Sequence, residues 1–345
     1  MVPLEERCLN ADADVHTNSA PTERLVLLAT PLANQVQVFA RDVASGLGAS
    51  PKTLPCRCLR SEGSQLFEQI CRLPGVLPHR TEREILAERA TTLAALLDGE
   101  VTLVELGSGS AEKTQIVIEA LLRRRRHLRY VPIDIARTML EQSSRELLAR
   151  YPDLDVLAIA AEYDEGLRLV AERVHEPKLY LWLGSNVGNF HRPEAAAFLR
   201  RVQAGMAPRD LLLVGIDLRK DRSALERAYD DALGVTARFN KNILARINRQ
   251  LGGHFDLDAF RHVATYDEGL GRVEMYLVSE RRQQVAIDAL GITATFARDE
   301  RVHTEDTYKY SLPEIDQLAA AAELELAAQW LDHQRRFSVN LLARR

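Results

Sequence analysis

Short apolar runs alternate with helical patterns along residues 101–217. The first run, 101–106, breaks into Gly107-Ser108-Gly109-Ser110, and residues 111–122 then place apolar side chains at helical spacing. Similar apolar runs follow at 130–134, 155–160, 178–183 and 211–216. This alternation predicts an α/β fold with a parallel sheet that helices cover on both faces. The loops after the strands are expected to meet at one edge of the sheet, where ligands bind in such folds.

The pattern changes after residue 218. Residues 224–251 have a mostly helical pattern, whereas 263–287 contains alternating segments that are typical of strands. The chain is therefore expected to leave the sheet and form an inserted α+β lobe.

A return to the sheet is predicted near the end of the chain. Ser311 and Glu314 have the spacing of a capping box for a helix that should run to Ala322. Residues 336–342 are predicted to form the last strand.

In the N-terminal part of the chain the pattern of apolar and polar residues is less regular. Residues 1–23 are polar and are expected to be flexible, and Thr81 is predicted to cap a helix that starts at Glu82.

The predicted organisation has five parts: a flexible N-terminus at 1–23, a segment at 24–85 that contributes to the substrate lobe, a Rossmann-like domain at 86–218, an inserted substrate-recognition lobe at 219–310, and a return to the Rossmann-like domain at 311–345.

The turn after the first run is the main candidate for a cofactor site. It reads E-x-G-x-G from Glu105 to Gly109, without the third glycine of a dinucleotide-binding loop and without a phosphate-loop lysine. Asp134 ends the next apolar run, where an acid commonly holds a ribose diol. This pattern favours S-adenosylmethionine over a nicotinamide dinucleotide. The alternative is an ordinary strand-to-helix turn with small residues for close packing.

Composition narrows the choice of partners. The chain has 345 residues and a net charge of −4, so neither nucleic acid nor an anionic membrane is an expected partner. The arginines at 123–126 are interpreted as a solvated helix end. The polar start of the chain does not have the pattern of a secretory signal, which predicts a cytoplasmic protein. The four cysteines lack metal-ligand spacing, so no metal site is expected.

Several longer motifs point to one family. They are GSQLFEQICRLP, RTEREIL, VELGSGSAEKT, LGSNVGNF, AYDDALGVTARFNKNILARIN, VEMYL and HTEDTYKY. In these motifs the chain resembles the histidine Nα-methyltransferases of ergothioneine biosynthesis, which use S-adenosylmethionine to trimethylate the α-amine of free histidine. The resemblance runs from about residue 60 to the C-terminus. It implies a Rossmann-like class I methyltransferase sheet with a second α+β lobe, formed by the N-terminal segment and an insertion.

On the cofactor side, the resemblance adds roles to the residues of the glycine turn. Gly107 and Lys113 match loop positions of the family, with Gly109 in the same turn, and Asp134 matches the acid that holds the ribose. Glu162-Tyr163 stands where the family usually has Asp-Phe beside the adenine. A tyrosine there can stack on the adenine ring.

On the substrate side, the match is mixed. Asn189 and Tyr229 match the family's clamp on the amino-acid carboxylate and are the candidate catalytic residues, with Tyr229 or a water as a possible proton relay. The carbonyl of Gly184 is expected to hold the amine. The side-chain pocket is expected to contain Glu305, which matches the acid that grips the imidazole, together with Met275 and Thr307, the latter in place of a serine. Leu59 and Val76 align with two tyrosines of the family, and neither can donate a hydrogen bond.

Because the side-chain pocket differs from that of the family, the resemblance alone does not identify the substrate. Histidine is the family default, but loss of side-chain contacts changes which side chain a site prefers. The alternative is the same chemistry on an arginine guanidine nitrogen or a tryptophan-like amine. A monomer is expected.

The same residues also have purely structural interpretations. Asn189 could cap a helix that starts near Pro193, and Tyr229 and Met275 could be ordinary core side chains. A family member that binds S-adenosylmethionine without methylating is a further possibility, which an intact Asn189 and Tyr229 argue against.

Overall fold

The computed structural model describes residues 24–29, 35–54, 66, 69–73 and 77–345. The strands in this part of the chain are β1 Leu25–Ala29, β2 Lys52–Thr53, β3 Thr102–Leu106, β4 Leu128–Asp134, β5 Leu154–Ala160, β6 Lys178–Trp182, β7 Leu211–Asp217, β8 Phe260–Asp267, β9 Arg272–Ser279, β10 Gln283–Ile287, β11 Ile292–Phe296, β12 Arg301–Tyr308, β13 Leu324–Leu331 and β14 Phe337–Arg344. The helices are α1 Gln35–Gly48, α2 Leu77–Ala95, α3 Thr114–Leu122, α4 Arg137–Arg150, α5 Tyr163–Arg173, α6 Arg192–Ala204, α7 Arg222–Tyr229, α8 Val235–Leu251 and α9 Leu312–Ala321.

The large sheet has eight strands in the order β1-β5-β4-β3-β6-β7-β14-β13. The strands from β1 to β7 in this order are parallel, and β14 runs antiparallel to both β7 and β13. Helices α2, α3 and α4 pack on one face, and α5, α6 and α9 pack on the other. Every residue of β3 and β6 is therefore buried, as expected for strands covered on both sides. This architecture confirms the predicted Rossmann-like α/β fold.

The end of the chain contains a strand that the sequence pattern did not predict. Helix α9 begins with the expected capping box of Ser311 and Glu314. The chain then reverses at Glu323, whose φ is +57°, and forms β13 before β14. The alanine-rich sequence of β13 continues the helical pattern of α9, so its extended conformation depends on pairing with β14.

A second sheet carries three of the substrate-side candidates, Met275, Glu305 and Thr307. Its strand order is β2-β12-β9-β8, and a separate β10-β11 hairpin lies nearby in the chain. Helices α1 and α8 pack with these strands in one apolar cluster, to which they contribute Phe39, Val43, Ile243 and Ile247. The irregular antiparallel pairing of β12 with β9 has a register shift between His303 and Glu305.

The N-terminal segment 24–85, which was expected to contribute to the substrate lobe, is divided between the two parts of the fold. Strand β1 pairs with β5 at the edge of the large sheet, and α2 packs on a face of that sheet. By contrast, α1 and β2 join the second lobe. Helix α2 begins at Leu77, so Thr81 does not cap a helix at Glu82. Both side chains are instead buried within the helix.

None of the helices in the described ranges is long and apolar enough to span a bilayer.

Candidate active site

Four neighbouring strands of the large sheet lead into the loops that carry the predicted site. Strands β3 and β6 lead to Gly107 and Gly184, while β4 and β7 end at Asp134 and Asp217. Because the four strands are parallel, their C-terminal ends and the following loops lie along one edge of the sheet.

The glycine turn encloses the carboxylate of Asp134. The N–H of Gly109 donates to one carboxylate oxygen at 3.0 Å, and the N–H of Ala136 donates to the other at 2.8 Å. Gly107 has a φ of +72°, a conformation that glycine adopts at little cost. Ala111 also has a positive φ, of +55°, so α3 starts later than the sequence predicted. The structure thus brings the predicted glycines and the predicted acid together.

Lys113 is held beside this turn by Glu82, a residue that sequence reasoning missed as part of the site. The Glu82 carboxylate is fully buried and is ion-paired with the Lys113 ammonium. It also accepts the N–H of Gly184 at 2.9 and 3.0 Å. One carboxylate therefore joins α2, the glycine turn and the loop after β6. Its place in the RTEREIL motif could have signalled this role, but the pattern there suggested only a helix start.

Glu105 supports the glycine turn as a buried carboxyl group. It accepts hydrogen bonds from Thr114 Oγ1 at 2.6 Å and from the Tyr130 hydroxyl. Burial raises the pKa of Glu105 to about 7, against the opposing effect of these two donors. The acid of the E-x-G-x-G pattern thus links β3 to α3 and β4.

Glu162 and Tyr163 lie at the start of α5. Glu162 is exposed at the N-cap position, while the Tyr163 ring packs 5.4 Å from Phe198 and edge-on to Trp182. A Cβ at Gly107 would lie 2.7 Å from the Tyr163 hydroxyl oxygen. Tyr163 therefore flanks the glycine turn from an aromatic cluster, and its stacking on adenine stays a prediction.

The loop after β6 connects the two sheets. Ser185 has a φ of +58°, and its Oγ accepts the N–H of Asp217 at 2.9 Å. A Cβ at Gly188 would lie 2.7 Å from the carbonyl oxygen of Tyr308 and 3.3 Å from Thr307 Oγ1. Only a residue without a side chain fits against β12 at this distance.

Asn189 is exposed at the end of this loop. Helix α6 begins at Arg192, and its capping box is formed by His191 and Glu194. Asn189 is therefore not the cap of this helix, and its side chain is accessible at the edge of the large sheet.

Tyr229 is the last residue of α7 and bonds to a buried lysine that sequence reasoning missed. Lys309 Nζ donates to the Tyr229 hydroxyl oxygen at 2.7 Å and lies 3.1 Å from a carboxylate oxygen of Asp217. Burial would lower the pKa of Lys309, but the Tyr229 and Asp217 oxygens raise it above its usual value. The alternating pattern of the HTEDTYKY motif was the available signal, because it puts Lys309 two residues after Thr307.

Strand β12 presents its candidates on one face. Glu305 and Thr307 are two residues apart, and they lie opposite Met275 and Val273 of β9. Met275 is only 3% exposed and shares an apolar cluster with Tyr229. Met275 is thus a buried residue beside Tyr229, and its place in the substrate pocket stays a prediction. Leu59 and Val76 lie outside the described residues.

The charges around the glycine turn fit S-adenosylmethionine. Lys113 can pair with the carboxylate of its amino-acid part, and Asp134 can accept hydrogen bonds from its ribose diol. A Cβ at Gly109 would meet no atom within 4 Å, so the turn borders open space. The fold and these residues define an S-adenosylmethionine-dependent methyltransferase.

Within that class, the chain belongs to the family of histidine-specific, S-adenosylmethionine-dependent methyltransferases, whose sequence profile matches residues 39–344. It is 39% identical over 305 residues to a histidine N-alpha-methyltransferase of Mycobacterium tuberculosis (strain CDC 1551 / Oshkosh). The aligned part covers 88% of this chain and 94% of that protein. A histidine N-alpha-methyltransferase of Mycolicibacterium smegmatis is 38% identical over 89% of this chain and 95% of its own length. An L-tryptophan methyltransferase of Psilocybe serbica is 28% identical over 75% of this chain and 78% of its own. These matches confirm the predicted family, enzyme class and cofactor.

We predict that Glu82→Gln lowers the free energy of unfolding by about 3 kcal/mol, because it leaves the mostly buried Lys113 ammonium without its counter-ion. The affinity for S-adenosylhomocysteine should fall as well, since Lys113 is no longer held at the turn. Urea denaturation and titration calorimetry measure the two effects. Glu84→Gln on the same helix is the matched control, because the Glu84 side chain is 58% exposed. Equal effects of the two substitutions would contradict the assigned role.

A second prediction follows from the raised pKa of Glu105. Between its ordinary value of 4.5 and about 7, the folded protein keeps this carboxyl protonated while the unfolded chain ionises it. Stability should therefore decrease as the pH rises through this window, by up to ~3 kcal/mol from this group. Comparing urea denaturation of the wild type and Glu105→Gln from pH 4.5 to 7.5 isolates the contribution. A difference between the two that does not change with pH would show that the carboxyl ionises normally in the folded state.

Proposed function

We propose that this enzyme methylates the α-amine of a free amino acid and that histidine is its substrate. The observation that carries the proposal is the close approach of Gly188 to Thr307. It supports the proposal because the residues expected to hold the amino-acid backbone then lie beside those expected to hold its side chain. Asn189 follows Gly188 directly, and Tyr229 is linked to Thr307 through Lys309.

S-adenosylmethionine, when bound, supplies an electrophilic methyl group on a sulfonium centre. The task of the chain is to hold an amine in line with that group and away from water. Because an α-amine is largely protonated at neutral pH, one proton must leave before the attack. In this proposal the Gly184 carbonyl accepts a hydrogen bond from the amine, while Asn189 and Tyr229 hold the carboxylate.

The side chain of the substrate would face β9 and β12. A carboxylate at Glu305 can accept a hydrogen bond from an imidazole N–H and would stabilise a charged ring. Thr307 retains the hydroxyl group of the family's serine and adds a methyl group, and Met275 supplies an apolar wall. These contacts favour a flat polar ring. We further propose that the inserted part of the chain, 219–310, recognises the substrate, because it supplies Tyr229, Met275, Glu305 and Thr307.

The alternative substrate is another amino acid, such as arginine or a tryptophan-like amine. It rests on Leu59, Val76 and Thr307, which replace residues that read the side chain in the family. The two histidine N-alpha-methyltransferases are more similar to this chain than the L-tryptophan methyltransferase is, which supports histidine.

The decisive experiment is calorimetric binding of histidine, arginine and tryptophan in the presence of S-adenosylhomocysteine, followed by mass spectrometry of methylation assays on the twenty amino acids. Tight binding and methylation of histidine alone are expected. Preference for arginine or tryptophan would mean that the clamp is kept and the side-chain pocket is reassigned. Absence of turnover on all twenty would overturn the proposed function.

We predict that Asn189→Ala raises the KM for histidine at least ~10-fold, because a hydrogen bond to a charged carboxylate contributes about 1.5–3 kcal/mol. Thermal stability should stay within experimental error, since Asn189 is exposed and does not cap α6. Steady-state kinetics and a thermal melt measure the two quantities. An unchanged KM with a large drop in melting temperature would assign Asn189 a structural role instead.

The expectations of a monomer and of a cytoplasmic location stay predictions from the sequence. Size-exclusion chromatography with light scattering tests the first, and cell fractionation tests the second.

A further inference from the structure

A buried lysine, Lys309, and a partly buried one, Lys220, share the carboxylate of Asp217 at the C-terminal end of β7. Lys309 Nζ lies 3.1 Å from one oxygen of Asp217, and Lys220 Nζ bonds to the other. The side chains of Lys309 and Asp217 are each 1% exposed, and that of Lys220 is 11% exposed. With both lysines protonated, this group carries a net positive charge away from water. Such a charge is costly unless an anion compensates it.

Lys309 connects this charge to the candidate site through the contacts of its ammonium group. Its ammonium lies within bonding distance of the Tyr229 hydroxyl at 2.7 Å, Asp217 at 3.1 Å and Thr307 Oγ1 at 3.2 Å. A lysine has three protons to donate and no acceptor. The Tyr229 oxygen must therefore accept from Lys309, and the phenolic proton of Tyr229 must be directed elsewhere.

We expect the phenolic proton of Tyr229 to point toward a ligand atom that can accept a hydrogen bond. Tyr229 is only partly buried, whereas Lys309 is covered, so the phenol is the part of this unit that a ligand can touch. A hydroxyl whose oxygen already accepts from a cation is a stronger donor, because hydrogen bonds in a chain polarise one another.

We propose that Lys309 is a positioning residue that makes the site selective for a free, ionised α-carboxylate. It acts through Tyr229, whose hydroxyl oxygen accepts from the Lys309 ammonium and whose proton is thereby oriented and polarised toward the ligand. This inference rests on the proposed function and deepens it: the enzyme should reject amino-acid amides, which offer a neutral acceptor in place of the carboxylate.

The test compares two ligands and two matched variants. The ligands are the amino acid that the wild type methylates and its primary amide, both titrated in the presence of S-adenosylhomocysteine. Lys309→Met and Lys220→Met each remove one cation from the same carboxylate, so Lys220→Met is the control for the loss of an ion pair with Asp217. Lys309→Met alone, however, removes the bond to Tyr229.

The wild type and Lys220→Met should bind the amino acid at least ~10-fold more tightly than the amide, as expected for a charged hydrogen bond. Lys309→Met should reduce this preference to about threefold or less, and Lys309→Arg should restore part of it. A preference that survives in Lys309→Met, or falls equally in Lys220→Met, would overturn the assignment.

Tyr229→Phe provides a test that does not depend on the folding of Lys309→Met, since it leaves the ion pairs with Asp217 in place. It should also abolish the preference, and combining it with Lys309→Met should have little further effect. Additive losses, or a preference retained in Tyr229→Phe, would contradict the inference. If the wild type methylates an amino acid but binds its amide equally well, the inference fails while the proposed function stands. If no amino acid is methylated, the proposed function itself fails.

Discussion

The ion pair between Asp217 and Lys309 connects the two sheets of this methyltransferase. Asp217 ends β7 of the large sheet, and Lys309 follows β12 of the four-stranded sheet. Backbone bonds reinforce the junction: the Tyr310 N–H donates to the Asp217 carbonyl at 3.1 Å, and the Arg219 N–H donates to the Tyr310 carbonyl at 3.0 Å. A buried pair offsets its desolvation only with good geometry and further hydrogen bonds. Lys220, Thr307 and Tyr229 provide such bonds, and the candidate site forms around them.

The two halves of the site are built in different ways. The proposed cofactor half comes mainly from one short segment, in which the glycine turn and Asp134 bond directly to each other. The proposed substrate half combines the loop after β6, the end of α7 and the strands β9 and β12, which are distant in sequence. A change in the second set can alter the side-chain pocket without altering the glycine turn. This separation is consistent with a family whose relatives are named for either histidine or tryptophan.

Sequence reasoning was most successful where structure is local. The strand–turn–helix at 101–122 and the capping box of Ser311 and Glu314 depend on residues a few positions apart. It was less successful for β13, whose conformation requires a partner strand, and for α2, which begins four residues before its predicted cap. The roles of Glu82 and Lys309 were missed for the same reason, since a lone charged residue in a motif carries no sign of what it will face when buried.

The sequence by itself determined the α/β alternation, the glycine turn with its acid and the membership of the family, because each depends on short-range periodicity or on motifs read directly from the residues. Only the tertiary structure decided that β1 and α2 join the large sheet while α1 and β2 join the second lobe. It alone also paired Glu82 with Lys113 and Lys309 with Asp217. The energy of a buried charge depends on the groups within a few ångströms of it, and folding brings those groups together from distant parts of the chain.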